Sequence, residues 1–145
     1  MSYWDTSALS KLYLPEPDSG AYAQKAAVEA VIATARVALY EMRCVAFRKE
    51  SEGLIRPGMA ESVLAQLSRD IAAGQIRIVE MDARVENEFN GIIATCYRQN
   101  SPLAIRTLDA LHLASARADN QLELVANDRR MRDAGKILGF SLFPV

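Results

Sequence analysis

The chain has 145 residues, the size of one ordinary domain, so we expect residues 1–145 to form a single domain around one core. Its 17 basic and 18 acidic residues give a net charge of −1, which argues against a protein that binds nucleic acid through a general basic surface. No stretch approaches the roughly 18 consecutive apolar residues of a membrane helix. The N-terminus also lacks the pattern of a secretory signal, so we expect a cytoplasmic protein.

Short apolar or β-branched runs alternate with longer segments of helical period, a pattern typical of an α/β domain with a parallel sheet. Strands are predicted at residues 2–5, 31–34, 76–81, 122–126 and 141–143. Helices are predicted at residues 7–13, 21–30, 38–51, 58–73, 83–99, 108–118 and 129–138. In such folds the reactive groups gather at the carboxyl ends of the strands and the adjoining helix starts. Acids at these places are therefore candidates for a site.

Two acids stand between a predicted strand and a predicted helix. Asp5 follows Tyr3 and Trp4, and Asp128 follows the strand at 122–126. Each could be a simple N-cap that accepts backbone N–H bonds and has no other purpose. Because they follow two strands of one parallel sheet, we also expect them to lie on the same edge of the molecule.

Asp109 lies in a helical segment where nearly every other side chain is apolar or small. Such a helix is buried, and a buried carboxylate is costly unless it is paired, hydrogen-bonded or bound to a cation. A structural alternative makes Thr107 the N-cap and Arg106 the partner, with the helix dipole favouring the charge of Asp109.

Glu41 shares a helical stripe with Val37, Cys44 and Val45, so its carboxylate interrupts an apolar face. The competing interpretation is an exposed edge position, with Arg48 as the partner two turns further on.

Zinc is not expected, because the two cysteines have no second Cys or His at ligand spacing. Cys44 and Cys96 lie in helical patterns among apolar neighbours and are predicted to be reduced and buried. The only histidine, His112, is predicted to be a core residue with a satisfied ring. A local cluster that could contact phosphates, or form a solvated helix face, consists of Arg129, Arg130 and Arg132.

Four carboxylates close together repel one another unless a cation neutralises them, and a hard ion such as Mg²⁺ or Mn²⁺ suits oxygen ligands. Such an ion could deprotonate a water for in-line attack on a phosphodiester. We assign Asp5 and Asp109 as principal ligands, and Glu41 and Asp128 as further ligands or groups that orient metal-bound water. Ser7 is predicted to help hold Asp5 or a phosphate.

Four segments of the chain resemble segments that occur in the same order in PIN domains, most closely in the VapC-type toxins of bacterial and archaeal toxin-antitoxin pairs. They are residues 3–9, 39–43, 105–116 and 125–131, and the third, with Asp109, is the most specific. The resemblance spans the whole chain. It departs at Ala126, where relatives often carry Ser or Thr two residues before the last acid, so a hydroxyl role is missing there.

The resemblance implies a three-layer α/β/α sandwich with a central, mainly parallel sheet. It also implies cleavage of single-stranded or loop RNA with Mg²⁺ or Mn²⁺, and inhibition by a partner antitoxin. Toxins of this kind look like homodimers whose active-site groove the antitoxin's tail covers.

Other functions fit less well or remain open. A haloacid-dehalogenase-type phosphatase needs a second Asp two positions after the first, where this chain has Ser7. A phosphoacceptor receiver domain should show adjacent acids at the first strand and a Lys after the last one, and neither is present. A catalytically inactive PIN-like binding module and a PIN nuclease of RNA processing remain as alternatives.

Overall fold

All twelve predicted elements occur in the structure, a computed structural model that describes residues 1–145. The strands are β1 (Tyr3–Trp4), β2 (Ile32–Ala35), β3 (Ile76–Val79), β4 (Glu123–Val125) and β5 (Ser141–Phe143). The helices are α1 (Thr6–Tyr13), α2 (Ser19–Ala27), α3 (Arg36–Ser51), α4 (Met59–Ala72), α5 (Ala83–Tyr97), α6 (Thr107–Ala118) and α7 (Arg129–Ile137). The predicted bounds differ by a few residues at most. For example, β3 ends at Val79, whereas the prediction extended to Met81.

The five strands form one parallel sheet in the order β3-β2-β1-β4-β5. The chain builds the sheet outward from β1 to β3 and then returns to the other side of β1 with β4. The order therefore reverses between β1 and β4, and ligands of open α/β sheets bind beyond the carboxyl ends of the strands at such a point. Asp5 and Asp128 follow these two strands.

Consecutive residues of a strand point to opposite faces, and β1 shows how this divides the core. Tyr3 belongs to a cluster formed with α5, α6 and α7, while Trp4 belongs to a cluster formed with α1, α3 and α4. The side chains of Tyr3 and Trp4 are fully buried. Helices thus cover both faces of the sheet, and the predicted three-layer α/β/α architecture is confirmed. None of the seven helices combines the length and the apolar character of a membrane-spanning segment.

The two cysteines lie in different environments, and the prediction for Cys44 is wrong. Cys96 is buried, but Cys44 is exposed. Helix α3 turns Met42 and Ala46 into the core. At 3.6 residues per turn, a side chain two positions after Met42 points to the opposite side of the helix.

Candidate active site

Asp5 lies at the end of β1, where its backbone N–H donates to the carbonyl of Val125 in β4 at 3.1 Å. Its carboxylate caps α1, since Oδ1 accepts the backbone N–H of Ala8 at 2.8 Å. The expected cap is thus present. Asp5 is also only 2% exposed, which is unusual for a residue whose sole purpose is to cap a helix.

Ser7 joins the carboxyl ends of β1 and β4. Its hydroxyl Oγ lies 2.7 and 2.8 Å from the two oxygens of Asp5 and accepts the backbone N–H groups of Asn127 at 2.9 Å and Asp128 at 3.2 Å. A hydroxyl has one proton to donate and two lone pairs, so these contacts use its full capacity. A phosphate contact from the same hydroxyl would require one of these bonds to be given up.

Asp128 caps α7 through Oδ1, which accepts the N–H of Met131 at 3.0 Å. A carboxylate has two oxygens, and the second oxygen of Asp128 faces Arg106 at 3.6 Å. Capping and a role in a site are therefore compatible for this residue.

Asp109 lies in the first turn of α6 and is buried, as its apolar surroundings predict. Arg106 donates from Nε to Oδ2 at 2.8 Å and from a terminal nitrogen to Oδ1 at 3.3 Å, so the proposed partner is correct. The proposed cap is wrong. Arg106 itself occupies the N-cap position, with no side-chain cap, and Thr107 is the first helical residue.

Glu41 lies on α3, and the partner proposed for it from the sequence, Arg48, is wrong. Its Oε1 accepts the Thr6 hydroxyl at 2.8 Å and lies 2.6 Å from Nε2 of His112. The other oxygen, Oε2, has no hydrogen-bond partner. His112 is 71 positions further along the chain, and no helical spacing could have indicated this contact.

The electrostatics of two of the acids differ. Burial raises the pKa of Asp5 to about 6, and the charge of Asp128 adds to the rise, against the opposing effects of His112, the Ala8 N–H and Ser7. Burial also acts to raise the pKa of Glu41, but hydrogen bonds from His112 and Thr6 and the charge of Arg106 bring it below its ordinary value. Ionised Asp5 is therefore the carboxylate with the greater need of a positive neighbour.

The four predicted acids lie around the carboxyl edge of the sheet but do not converge on one point. No three His, Cys, Asp or Glu side chains lie close enough together to hold a metal ion in this conformation. The Arg106 guanidinium lies between Asp109 and Asp128, and the caps hold Asp5 and Asp128 to their own helices.

The donor chemistry nevertheless fits a hard divalent cation, because every candidate ligand is a carboxylate oxygen. One positive group already bridges two of these carboxylates. The hydrogen bond to Asp109 raises the pKa of Arg106, which therefore stays charged. The Arg106 side chain is 55% exposed, so it can withdraw into solvent without disturbing the core.

The predicted basic cluster divides into two parts. Arg132 donates to the backbone carbonyls of Ala126 and Pro144, which gives it a structural role. Arg129 and Arg130 are exposed at the start of α7, beside Asp128. Of the three residues in this cluster, only Arg129 and Arg130 remain available for phosphate contacts.

Two residues near the acids escaped the sequence reasoning. The Thr6 hydroxyl holds Glu41, and the Tyr3 hydroxyl lies 2.7 Å from Nδ1 of His112. The sequence signal that could have indicated them is their position, since both lie within two residues of Asp5 in the first of the four segments. The predicted satisfied core position of His112 is confirmed, since its ring is buried and both nitrogens have partners.

Comparison with known proteins identifies the family of the chain. The protein-family model that describes the PIN domain matches residues 2–137 of this chain. Ribonuclease VapC46 of Mycobacterium tuberculosis is 31% identical over 147 residues, which cover 97% of this chain and 94% of that protein.

Solved structures share the fold. The chain is similar to VapBC2 from Rickettsia felis bound to a DNA fragment from its promoter, with a TM-score of 0.68, 22% identity and coverage of 98% and 97% of the two chains. It is also similar to VapC20 of Mycobacterium tuberculosis, a toxin that cleaves the sarcin-ricin loop, with a TM-score of 0.69, 18% identity and coverage of 93% and 95%. The chain belongs to the PIN-domain family, among its VapC-type members.

Proposed function

We propose that this chain is an endoribonuclease that depends on Mg²⁺ or Mn²⁺ and acts as the toxin of a toxin-antitoxin pair. The observation that carries the proposal is the position of Asp5, Glu41, Asp109 and Asp128 around the carboxyl edge of the sheet at its switch point, where the Arg106 guanidinium lies between Asp109 and Asp128. The ribonuclease relative, aligned over almost the whole chain, supports RNA as the substrate.

Asp5 and Asp109 are proposed as the principal metal ligands, with Asp128 and Glu41 as further ligands or groups that orient water. When bound, the ion would supply a water of lowered pKa and stabilise negative charge on the phosphate. Asp128 can offer Oδ2 while Oδ1 caps α7. Glu41 can offer Oε2 while Oε1 accepts its two hydrogen bonds.

Arg106 is suited to a second task once it leaves the carboxylates. Its guanidinium matches a phosphate in two-point hydrogen bonding, and its exposed side chain lies beside the acids. Arg129 and Arg130 would add local positive charge for the RNA backbone, although the net charge of the chain is −1.

Membership of the family supports the proposed partners. We propose a cognate antitoxin as the inhibitor and a homodimer as the active form, with residues 1–145 acting as one domain. The similarity to the VapBC2 assembly supports a protein partner.

The test is cleavage of a panel of structured RNAs by the purified chain, free of antitoxin, with Mg²⁺, Mn²⁺ or EDTA. The parent should cleave only with metal, and Asp5→Asn and Asp109→Asn should each lose about 100-fold in rate. Glu61→Gln, at an exposed carboxylate of α4, is the matched control and should retain activity. Absence of cleavage by the parent across the panel would contradict the proposal and favour an inactive binding module.

A further inference from the structure

His112 connects the core to the candidate site. It lies on α6 and is 2% exposed. Its Nδ1 is 2.7 Å from the hydroxyl of Tyr3 on β1, and its Nε2 is 2.6 Å from Oε1 of Glu41 on α3. Nε2 also lies 3.2 Å from the hydroxyl of Thr6. One ring thus joins three separate elements at the carboxyl edge of the sheet.

The carboxylate partner assigns the direction of one of these hydrogen bonds. The Glu41 carboxylate can only accept, so Nε2–H of His112 donates to Oε1. The other ring nitrogen, Nδ1, is held by the hydroxyl of Tyr3 on the far side of the ring.

The result at Glu41 is asymmetric. His112 and Thr6 donate to the same oxygen, Oε1, while Oε2 remains without a partner. The Glu41 side chain is 27% exposed, so the free oxygen can reach the solvent side of the site. Two donors on one oxygen restrict rotation of the carboxylate and leave the other oxygen available.

We propose that His112, held by Tyr3, is a positioning residue that fixes the Glu41 carboxylate through Oε1 and leaves Oε2 free to serve as a metal ligand. The inference rests on the proposed metal-dependent function and adds a role that the four acids do not explain. In metal sites, groups behind the ligands orient them, and their loss typically costs about 10–100-fold in affinity or activity.

The experiment measures Mn²⁺ affinity from the electron paramagnetic resonance of free Mn²⁺, alongside kcat and KM for RNA cleavage. His112→Leu fills the space without a donor, whereas His112→Gln keeps an N–H for Glu41. Tyr3→Phe removes only the hydroxyl behind the ring. Tyr13→Phe is the matched control, because its hydroxyl also donates to a carboxylate, Asp70, outside the site.

His112→Leu should weaken Mn²⁺ binding by about tenfold or more and lower kcat with little change in KM. The Mn²⁺ affinity of His112→Gln should be close to that of the parent. The affinity of Tyr3→Phe should lie between those of the parent and His112→Leu, and the affinity of Tyr13→Phe should equal that of the parent. These results would separate positioning from packing, because packing alone predicts no rescue by Gln.

Parent-like Mn²⁺ affinity in folded His112→Leu and Tyr3→Phe would overturn the inference while leaving the proposed function intact. If His112→Leu fails to fold, Tyr3→Phe and His112→Gln decide the question by the same affinities. If the parent neither binds Mn²⁺ nor cleaves RNA, the proposed function fails and this inference fails with it.

Discussion

The hydroxyl of Ser7 lies within 2.8 Å of both carboxylate oxygens of Asp5. The same hydroxyl accepts the backbone N–H groups that precede α7. It therefore connects the acid after β1 to the segment that carries the acid after β4. This side-chain link adds to the backbone pairing of β1 with β4, which already brings the segments of Asp5 and Asp128 together.

Ser7→Ala should lower both stability and activity. The change leaves the N–H groups of Asn127 and Asp128 without their acceptor and should cost about 1 kcal/mol, or about 2–4 °C in Tm. Cleavage should fall by about tenfold because Asp5 and Asp128 lose their link. Ser10→Ala is the control, since its hydroxyl bonds only to a carbonyl of its own helix. Equal activity of the two variants would contradict the linking role.

Asp5→Asn should stabilise the metal-free protein at neutral pH. The folded-state pKa of Asp5 is raised to about 6 from 3.8, so its stabilising contribution is present below 3.8 and is lost as pH rises through about 6. Asn caps a helix as well as Asp does but carries no buried charge. The gain should reach at most about 3 kcal/mol above pH 7 and should vanish near pH 4.

Thermal unfolding of the metal-free protein between pH 4 and 7.5 measures this effect. Asp109→Asn is the control, because Asp109 has Arg106 as its partner and its substitution should destabilise the protein. If Asp5→Asn has a lower Tm than the parent at pH 7.5, the buried charge of Asp5 does not destabilise the folded protein, and the prediction is wrong.

Arg106→Gln should tighten metal binding while slowing cleavage. The substitution removes the positive group that bridges Asp109 and Asp128. Loss of roughly 1 kcal/mol of repulsion would raise Mn²⁺ affinity about fivefold at low salt, and less at high salt. Calorimetric titration measures the affinity, with Arg69→Gln on α4 as the control, since Arg69 bonds only to Gln66. Weaker binding by Arg106→Gln would show that the guanidinium does not occupy the place of a cation.

The two cysteines provide a test of the fold. A thiol reagent should modify one cysteine quickly in the native protein, and that residue should be Cys44, because it is exposed. Cys96 is fully buried, and burial also raises its pKa, so it should react only after denaturation. Mass spectrometry of the native and denatured protein distinguishes the sites. Rapid labelling of Cys96 would contradict the packing of α5.

The sequence alone predicted the elements well because their signals are local. Strands such as β1 are short apolar runs, and Asp5 and Asp128 stand at the caps where the pattern changes. The burial of Asp109 followed from its apolar neighbours.

The errors concern the orientation of side chains and contacts between distant parts of the chain. Cys44 was assigned to the wrong face of α3, since the exposed face of that helix also carries apolar residues such as Tyr40 and Phe47. The contact of Glu41 with His112 depends on the packing of α3 against α6, which no spacing within one helix reveals. The position of Arg106 between two acids likewise depends on the fold.

The most direct test of the account is X-ray diffraction from crystals of the antitoxin-free protein grown with Mn²⁺. We expect an anomalous peak at about 2.1–2.5 Å from oxygens of Asp5 and Asp109, with the Arg106 guanidinium moved away from Asp128. A map in which these side chains are ordered, Arg106 still bridges Asp109 and Asp128, and no peak lies among the four acids would contradict the central claim.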